Sequence, residues 1–177
     1  MMPRARLADF DVAALHAALN AQRLARGLSW EGVVREMAGS TGRVAAARSL
    51  SASTLSGLLT RRSVEGDGVL GMLRWLDRTP ESFVPGHPAP TTPETTLART
   101  DPHLILRWDV PALHHALDMQ RRERGMTWKQ VADEIGGFTP GMLTGLATAQ
   151  RTGFPQVMRL VAWLGRPAVS FTVQRRR

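Results

Sequence analysis

The chain of 177 residues contains two copies of one sequence. When it is shifted by 98 positions, residues 10–39 align with residues 108–137, and 15 of these 30 positions are identical. A shift by 88 positions aligns residues 50–84 with residues 138–172, with 10 identities in 35 positions. The two shifts differ by ten, which indicates an insertion of that length in the first copy, at roughly 41–50. An internal duplication predicts that the chain folds as two similar units.

A proline-rich segment, residues 85–107, separates the two copies and holds five of the 11 prolines. Proline removes backbone donors and favours an extended conformation, so this segment is predicted to be a semi-extended linker. Its apolar end, residues 104–106, is expected to fold back onto the second copy. The predicted domains are therefore residues 1–84 and residues 108–177, the second ending in a basic tail.

Capping residues and apolar spacing predict helices in each copy. Asp11 is suited to cap a first helix and Gly27 to end it, while Thr127 begins a capping box for a second helix. Ser51 and Thr139 are suited to begin third helices, and a fourth helix closes each copy. No stretch alternates with the period of a strand. The predicted fold class is all-α, with two bundles of four to five helices each.

The order of these helices is similar to that of a known family. The first copy resembles the phage-repressor, or Xre-like, helix-turn-helix domains. The resemblance lies in the order of Gly27-Leu28-Ser29-Trp30, a short helix, a break and Ser51-Ala52-Ser53-Thr54-Leu55-Ser56. Gly125-Met126-Thr127-Trp128 and Thr139-Pro140-Gly141-Met142-Leu143-Thr144 resemble these domains in the second copy. The resemblance covers nearly all of both copies and implies two repressor-like bundles in tandem.

The resemblance implies that the third helix of each copy enters the major groove of DNA. The residues placed there by the resemblance are Ala52, Ser53, Ser56, Gly57, Thr60, Pro140, Gly141, Thr144, Gly145 and Thr148, and Ser51 and Thr139 at the starts of these helices are also expected to contact DNA. These side chains are short, whereas base readout depends largely on Arg, Lys, Asn and Gln. Weak base discrimination is therefore expected, and the same face is alternatively suited to a protein partner.

Contacts with DNA phosphates are expected from residues around the third helices. These residues are Arg61, Arg62, Gln150 and Arg151 after the helices, Arg43 and Arg48 in the insertion, and Trp30 and Trp128 at the start of the second helices. The family often has a phosphate-binding glutamine where the tryptophans stand. The alternatives are a solvated surface for the arginines, a disordered loop for the insertion, and packing anchors for the tryptophans.

Composition restricts the function classes. The 23 basic residues, of which only Lys129 is lysine, exceed the 15 acidic ones, and the net charge of +8 favours polyanionic partners. There is no cysteine, and the histidines lack an accompanying ligand set, so neither metal nor cofactor is expected. The match to a dinucleotide-binding motif at residues 66–71 is rejected, since no strand is predicted before it and the second copy lacks it. No enzymatic activity is expected.

Together these features predict a transcriptional regulator that binds double-stranded DNA, with its two units acting as a covalent pseudo-dimer. The sequence leaves open whether two chains also form a homodimer. Unequal turns in the two copies predict unequal half-sites. The alternatives are an adaptor or antitoxin-like protein-interaction module, and non-specific nucleic-acid binding through the basic ends, including residues 175–177. No membrane association is expected, because apolar runs are short. The expected location is cytoplasmic and nucleoid-associated.

Overall fold

The computed structural model describes residues 9–38, 50–61, 64–86, 104–149 and 152–176. In these ranges the chain is mostly helical, with four short strands in two antiparallel sheets. The helices are α1 (Val12–Ala25), α2 (Trp30–Ala38), α3 (Ala52–Ser56), α4 (Gly66–Leu76), α5 (Val110–Glu123), α6 (Trp128–Ile135), α7 (Pro140–Gly145) and α8 (Gln156–Leu164). The strands are β1 (Val64–Glu65), β2 (Leu104–Trp108), β3 (Gly153–Phe154) and β4 (Thr172–Arg176). Short 3₁₀ turns cover Leu58–Thr60, Pro80–Phe83 and Ala168–Phe171.

The helix ends follow the local signals in the sequence. The Asp11 carboxylate accepts a hydrogen bond of 2.8 Å from the backbone N–H of Ala14, which caps α1. Thr127 and Gln130 form the predicted capping box at the start of α6. Gly27, just beyond α1, has a φ of 63°, a conformation that favours glycine. The predictions of these caps and of this helix end are confirmed.

The two copies repeat one set of long-range contacts. Gln22 in α1 donates a hydrogen bond of 2.8 Å to the carbonyl of Trp75, and Gln120 in α5 donates one of 3.0 Å to the carbonyl of Trp163. Further matched pairs are Arg26–Glu36 with Arg124–Glu134, Trp75–Glu36 with Trp163–Glu134, and Asp11–Phe83 with Asp109–Phe171. The duplication is therefore present in the tertiary contacts as well as in the sequence.

The strands correct the expectation that neither copy contains one. β2 pairs antiparallel with β4 over five residues, so the end of the linker is part of the fold. β4 also contains most of the predicted basic tail, which is a paired strand and not an unpaired extension. Neither segment alternates in polarity, and each is held by backbone hydrogen bonds to a partner far along the chain.

The sheet of β1 and β3 joins the two copies. Val64 lies opposite Phe154, and Glu65 lies opposite Gly153. Under the shift of 88 positions, Gly153 is the counterpart of Glu65. A residue that faces its own duplicate across an antiparallel ladder is the relation that a two-fold axis produces. A pseudo-two-fold axis therefore passes between Glu65 and Gly153.

Apolar side chains of both copies meet beside this axis in one hydrophobic core. The ring of Phe10 from the first copy lies edge-on to that of Phe154 from the second, with centroids 4.5 Å apart. Trp108 stacks on the other side of Phe154 at 6.3 Å. Packed side chains therefore hold the two copies together in addition to the linker. None of the described helices is long and apolar enough to cross a membrane.

Candidate nucleic-acid interface

The third helices, α3 and α7, each have one buried and one outward face. Ser51 Oγ accepts a hydrogen bond of 3.1 Å from the backbone N–H of Thr54 and so caps α3. Thr139 caps α7 in the same way. Leu55 and Leu143 project into the core and are fully buried. Burial of these leucines fixes which face of each helix points to solvent.

The residues that the sequence analysis places in the groove lie on these outward faces. The exposed members are Ser51, Ser53, Ser56, Thr60, Thr139, Pro140, Gly141, Thr144, Gly145 and Thr148, whereas Ala52 and Gly57 are half-buried. Such a surface offers little side-chain length to a base edge. None of these side chains carries a charge.

Several of the exposed hydroxyls are already engaged as donors. Thr60 Oγ1 donates 2.9 Å to the carbonyl of Gly57, and Thr144 Oγ1 donates 3.2 Å to the carbonyl of Pro140. Because a hydroxyl has one proton, these threonines keep only acceptor capacity for a ligand. The hydroxyl of Ser56 makes no hydrogen bond within the described part of the chain, and Thr139 Oγ1 only accepts one, from the backbone N–H of Met142, so both hydroxyls keep a proton to donate to a ligand.

The tryptophans at the start of the second helices are packed against the first helices. Trp30 is half-buried, with the Arg23 guanidinium 4.8 Å from its ring centroid and the His16 ring at 5.7 Å. Trp128 repeats the arrangement, with the Arg121 guanidinium at 4.9 Å. This geometry favours the interpretation of both indoles as packing anchors over direct phosphate contact.

Basic side chains around the third helices divide into two groups. Arg61 is exposed directly after the 3₁₀ turn that extends α3. Arg43, Arg48, Arg62 and Arg151, together with the uncharged Gln150, were also predicted to contact phosphate and lie outside the described residues. In the sequence, Arg43 and Arg48 precede α3, Arg62 follows it, and Arg151 follows α7.

The pairing of β1 with β3 limits the distance between the third helices. Thr60 precedes Val64 by four residues, and Thr148 precedes Phe154 by six, while Val64 and Phe154 pair across the sheet. An extended residue spans at most ~3.6 Å and paired strands lie ~5 Å apart, so Thr60 and Thr148 are within ~41 Å of each other. The spacing of successive major grooves, ~34 Å, falls inside this limit.

The glycine motif at residues 66–71 has a packing role. Contrary to expectation, a strand does precede it, because β1 ends where α4 begins. However, a Cβ on Gly66 would lie 2.6 Å from Trp108 Cδ1, and one on Gly68 would lie 3.1 Å from Leu50 Cδ2. Side chains of this protein already occupy the approach to both glycines, and β1 pairs antiparallel to β3. These contacts leave no space there for a pyrophosphate.

The sequence analysis missed the residues that join the two copies beside the axis. They are Asp9, Phe10, Gly66, Asp67, Trp108, Phe154 and Arg159. The sequence signal for these contacts was a difference between corresponding positions of the two copies, since Gly66 corresponds to Phe154. Positions that are identical in the two copies reveal the duplication, whereas the contacts between the copies involve positions that differ.

No group of three or more His, Asp or Glu side chains suited to a metal ion is present among the described residues. Comparison with protein-family models, with curated proteins and with solved structures found no match.

Proposed function

We propose that this protein binds double-stranded DNA and regulates transcription, with its two repressor-like helix-turn-helix units acting as a pseudo-dimer within one chain. The observation that carries this proposal is the pairing of Glu65 with Gly153, since corresponding residues of two copies face each other when a two-fold axis relates the copies. Repressor-type dimers use a two-fold axis to present two third helices to successive grooves of the same duplex.

Phosphate contacts supply most of the affinity in this proposal. Arg61 and Arg62 follow α3 in the sequence, and Arg151 follows α7, so each copy has arginine shortly after its third helix in the sequence. Arginine binds phosphate oxygens through a planar fork of donors, and such contacts fix the register of the protein without reading sequence. The outward faces of α3 and α7 add a modest direct readout through Ser56 and its neighbours.

The two halves are expected to read different half-sites. The first copy has the insertion of about ten residues before its third helix, and the second has none. The exposed residues also differ, since Ser53 corresponds to Gly141 and Ser56 to Thr144 under the shift of 88 positions. An asymmetric operator therefore suits this protein better than a palindrome.

A protein partner is the second candidate function, and two exposed apolar side chains favour it. Leu59, in the 3₁₀ turn after α3, is 58% exposed, and Met142 in α7 is 46% exposed. Both lie among hydroxyls whose protons are partly engaged within the chain. An adaptor or antitoxin-like protein would use such a surface to bury apolar area against its partner.

Fluorescence anisotropy of the full chain with a labelled ~30-bp duplex separates the two candidates. Arg61→Ala with Arg62→Ala removes two charges beside α3 and is expected to weaken binding roughly 50-fold at ~0.1 M salt, by the counterion rule. The matched control, Arg78→Ala with Arg166→Ala, removes equal charge beyond the far ends of α4 and α8. It is expected to change affinity less than about threefold.

Two outcomes contradict the proposal. Equal losses in the two double variants would show that net charge alone drives binding. Absence of DNA binding by the full chain at low salt would leave the protein-partner candidate, for which Leu59→Asp and Met142→Asp are the informative variants. Selection of bound duplexes from a random pool then gives the operator, whose asymmetry is the expected result.

A further inference from the structure

The contacts beside the pseudo-two-fold axis are not repeated on its two sides. We call these contacts the axis interface, formed by Phe10 with Phe154, Trp108 with Gly66, Asp9 with Arg159, and Arg107 with Asp67. Several hydrogen bonds within the copies recur at corresponding residues, such as Gln22 with Trp75 and Gln120 with Trp163. The axis interface, in contrast, joins different residue types on its two sides.

The shapes of the facing residues are complementary across the axis. Under the two sequence shifts, Phe10 corresponds to Trp108, and Gly66 corresponds to Phe154. On one side a phenylalanine packs edge-on against Phe154, with centroids 4.5 Å apart. On the other side the larger tryptophan occupies the space where Gly66 has no side chain, since a Cβ there would lie 2.6 Å from Trp108 Cδ1. Each large residue therefore faces the smaller alternative.

The charges of the facing residues are also complementary. Asp9 accepts a hydrogen bond of 2.7 Å from Arg159 Nε in α8. On the other side Arg107, the counterpart of Asp9, lies 3.3 Å from the Asp67 carboxylate in α4. The Asp67 carboxylate also accepts a hydrogen bond of 3.0 Å from the backbone N–H of Trp108. The sign of the charge is thus reversed between the two sides.

Pairing of either copy with itself would remove both kinds of complementarity. Two first copies would place Phe10 against Gly66 and bring Asp9 towards Asp67. Two second copies would place Trp108 against Phe154 and bring Arg107 towards Arg159. Voids, overpacked aromatic rings and like charges all disfavour an interface, and partly exposed ion pairs contribute more to selectivity than to stability.

We infer that the axis interface is heterotypic: the first copy of the repeat pairs with the second copy, and neither pairs with itself. The partner of each copy is the other copy in the same chain, so the chain needs no second chain to complete this interface. The two halves are consequently held in one fixed order about the axis.

Exchange of residues across the axis tests the shape complementarity in the intact chain. Gly66→Phe with Phe154→Gly places two large rings on one side and a void on the other. This double variant is expected to lower the unfolding temperature by about 10 °C or more, from cavity and overpacking effects. Adding Phe10→Trp and Trp108→Phe exchanges the facing aromatic residues across the axis while leaving both ion pairs in place, and is expected to recover more than half of that loss.

The design contains its own control, because the natural chain, the double variant and the fourfold variant have the same amino-acid composition. Recovery in the fourfold variant therefore reports complementarity between facing residues and not total core volume. A fourfold variant no more stable than the double variant would overturn the inference.

Pairing selectivity itself is measured on the full chain after one cut. A specific protease site placed within residues 88–100 is cleaved after the chain has folded, and native mass spectrometry identifies the assemblies. One amino-terminal piece with one carboxy-terminal piece is the expected species, including after mixing with isotope-labelled cleaved protein. Dimers of either piece with itself, in amounts comparable to the mixed species, would contradict a heterotypic interface.

Discussion

Glu81 Oε1 accepts a hydrogen bond of 2.6 Å from the backbone N–H of Ala168, a residue 87 positions further along the chain. Glu81 is buried and belongs to the 3₁₀ turn that ends the first copy, whereas Ala168 begins the corresponding turn of the second copy. The counterpart of Glu81 is Val169, so this bond has no equivalent on the other side of the axis. It is a further contact between the copies that occurs on only one side of the axis.

Replacing Glu81 tests this bond. Glu81→Ala leaves the buried N–H of Ala168 without its acceptor and is expected to lower the free energy of unfolding by about 1–3 kcal/mol, measured by urea denaturation. Glu81→Gln keeps a carbonyl oxygen at the same position and is the matched control, expected to lose about half as much or less. Equal losses in the two variants would assign the effect to the charge of Glu81 and not to the hydrogen bond.

Asp118 gives a prediction about stability in acid. The hydrogen bond that Arg121 donates, at 2.7 Å, lowers the pKa of Asp118 below its ordinary value; burial opposes the shift, and the charge of Arg122 adds to it. A carboxyl with a depressed pKa in the folded state stabilises the fold above its unfolded pKa. That stabilisation is lost as the pH falls through the folded pKa. Asp118→Asn is therefore expected to flatten the acid side of the stability profile.

The first copy supplies the control for this prediction. Asn20 is the counterpart of Asp118, and its side-chain oxygen accepts a hydrogen bond of 2.8 Å from Arg23 without carrying charge. Asn20→Asp is expected to add the acid-dependent stabilisation that Asp118→Asn removes. Urea unfolding between about pH 2 and pH 6 measures both. Parallel pH profiles for the natural chain and Asp118→Asn would contradict the assignment.

The salt dependence of DNA binding gives a prediction for the phosphate contacts. With four or five arginines engaged, the slope of log K against log salt is expected to be about −4 to −5, since each neutralised phosphate contributes about −0.9. Arg61→Ala is expected to flatten this slope by about one unit and to weaken binding to specific and random duplexes alike. A tight complex with a slope near zero would exclude phosphate neutralisation as its main source of affinity.

Ser56 gives a prediction for sequence readout. Its exposed hydroxyl has no partner in the described part of the chain. Ser56→Ala is expected to weaken binding to the selected operator by about two- to tenfold, because one hydrogen bond is lost. Binding to random DNA and the salt slope are expected to stay unchanged. Ser170→Ala, an exposed serine in the last 3₁₀ turn, is the control. If Ser56→Ala weakened operator and random DNA equally, α3 would have no role in base readout.

Features of the fold that depend on neighbours along the chain can be predicted from residue type and spacing. The caps at Asp11, Ser51 and Thr127 join a side chain to a backbone N–H three positions away, so residue type and spacing suffice to predict them. The duplication likewise follows from comparing the chain with itself. It predicts that contacts such as Gln22 with Trp75 recur at Gln120 and Trp163.

How the two copies meet depends on contacts between residues that are distant in the sequence, and it was therefore seen only in the tertiary structure. β1 and β3 have two residues each and carry no strand pattern, because their stability comes from a partner about 90 residues away and from the core beside them. The fit of Trp108 over Gly66 depends on a distance in space between two positions that neither periodicity nor composition relates. Local hydrogen bonds therefore fixed the helices, whereas packing between distant residues set the axis and selected which copy faces which.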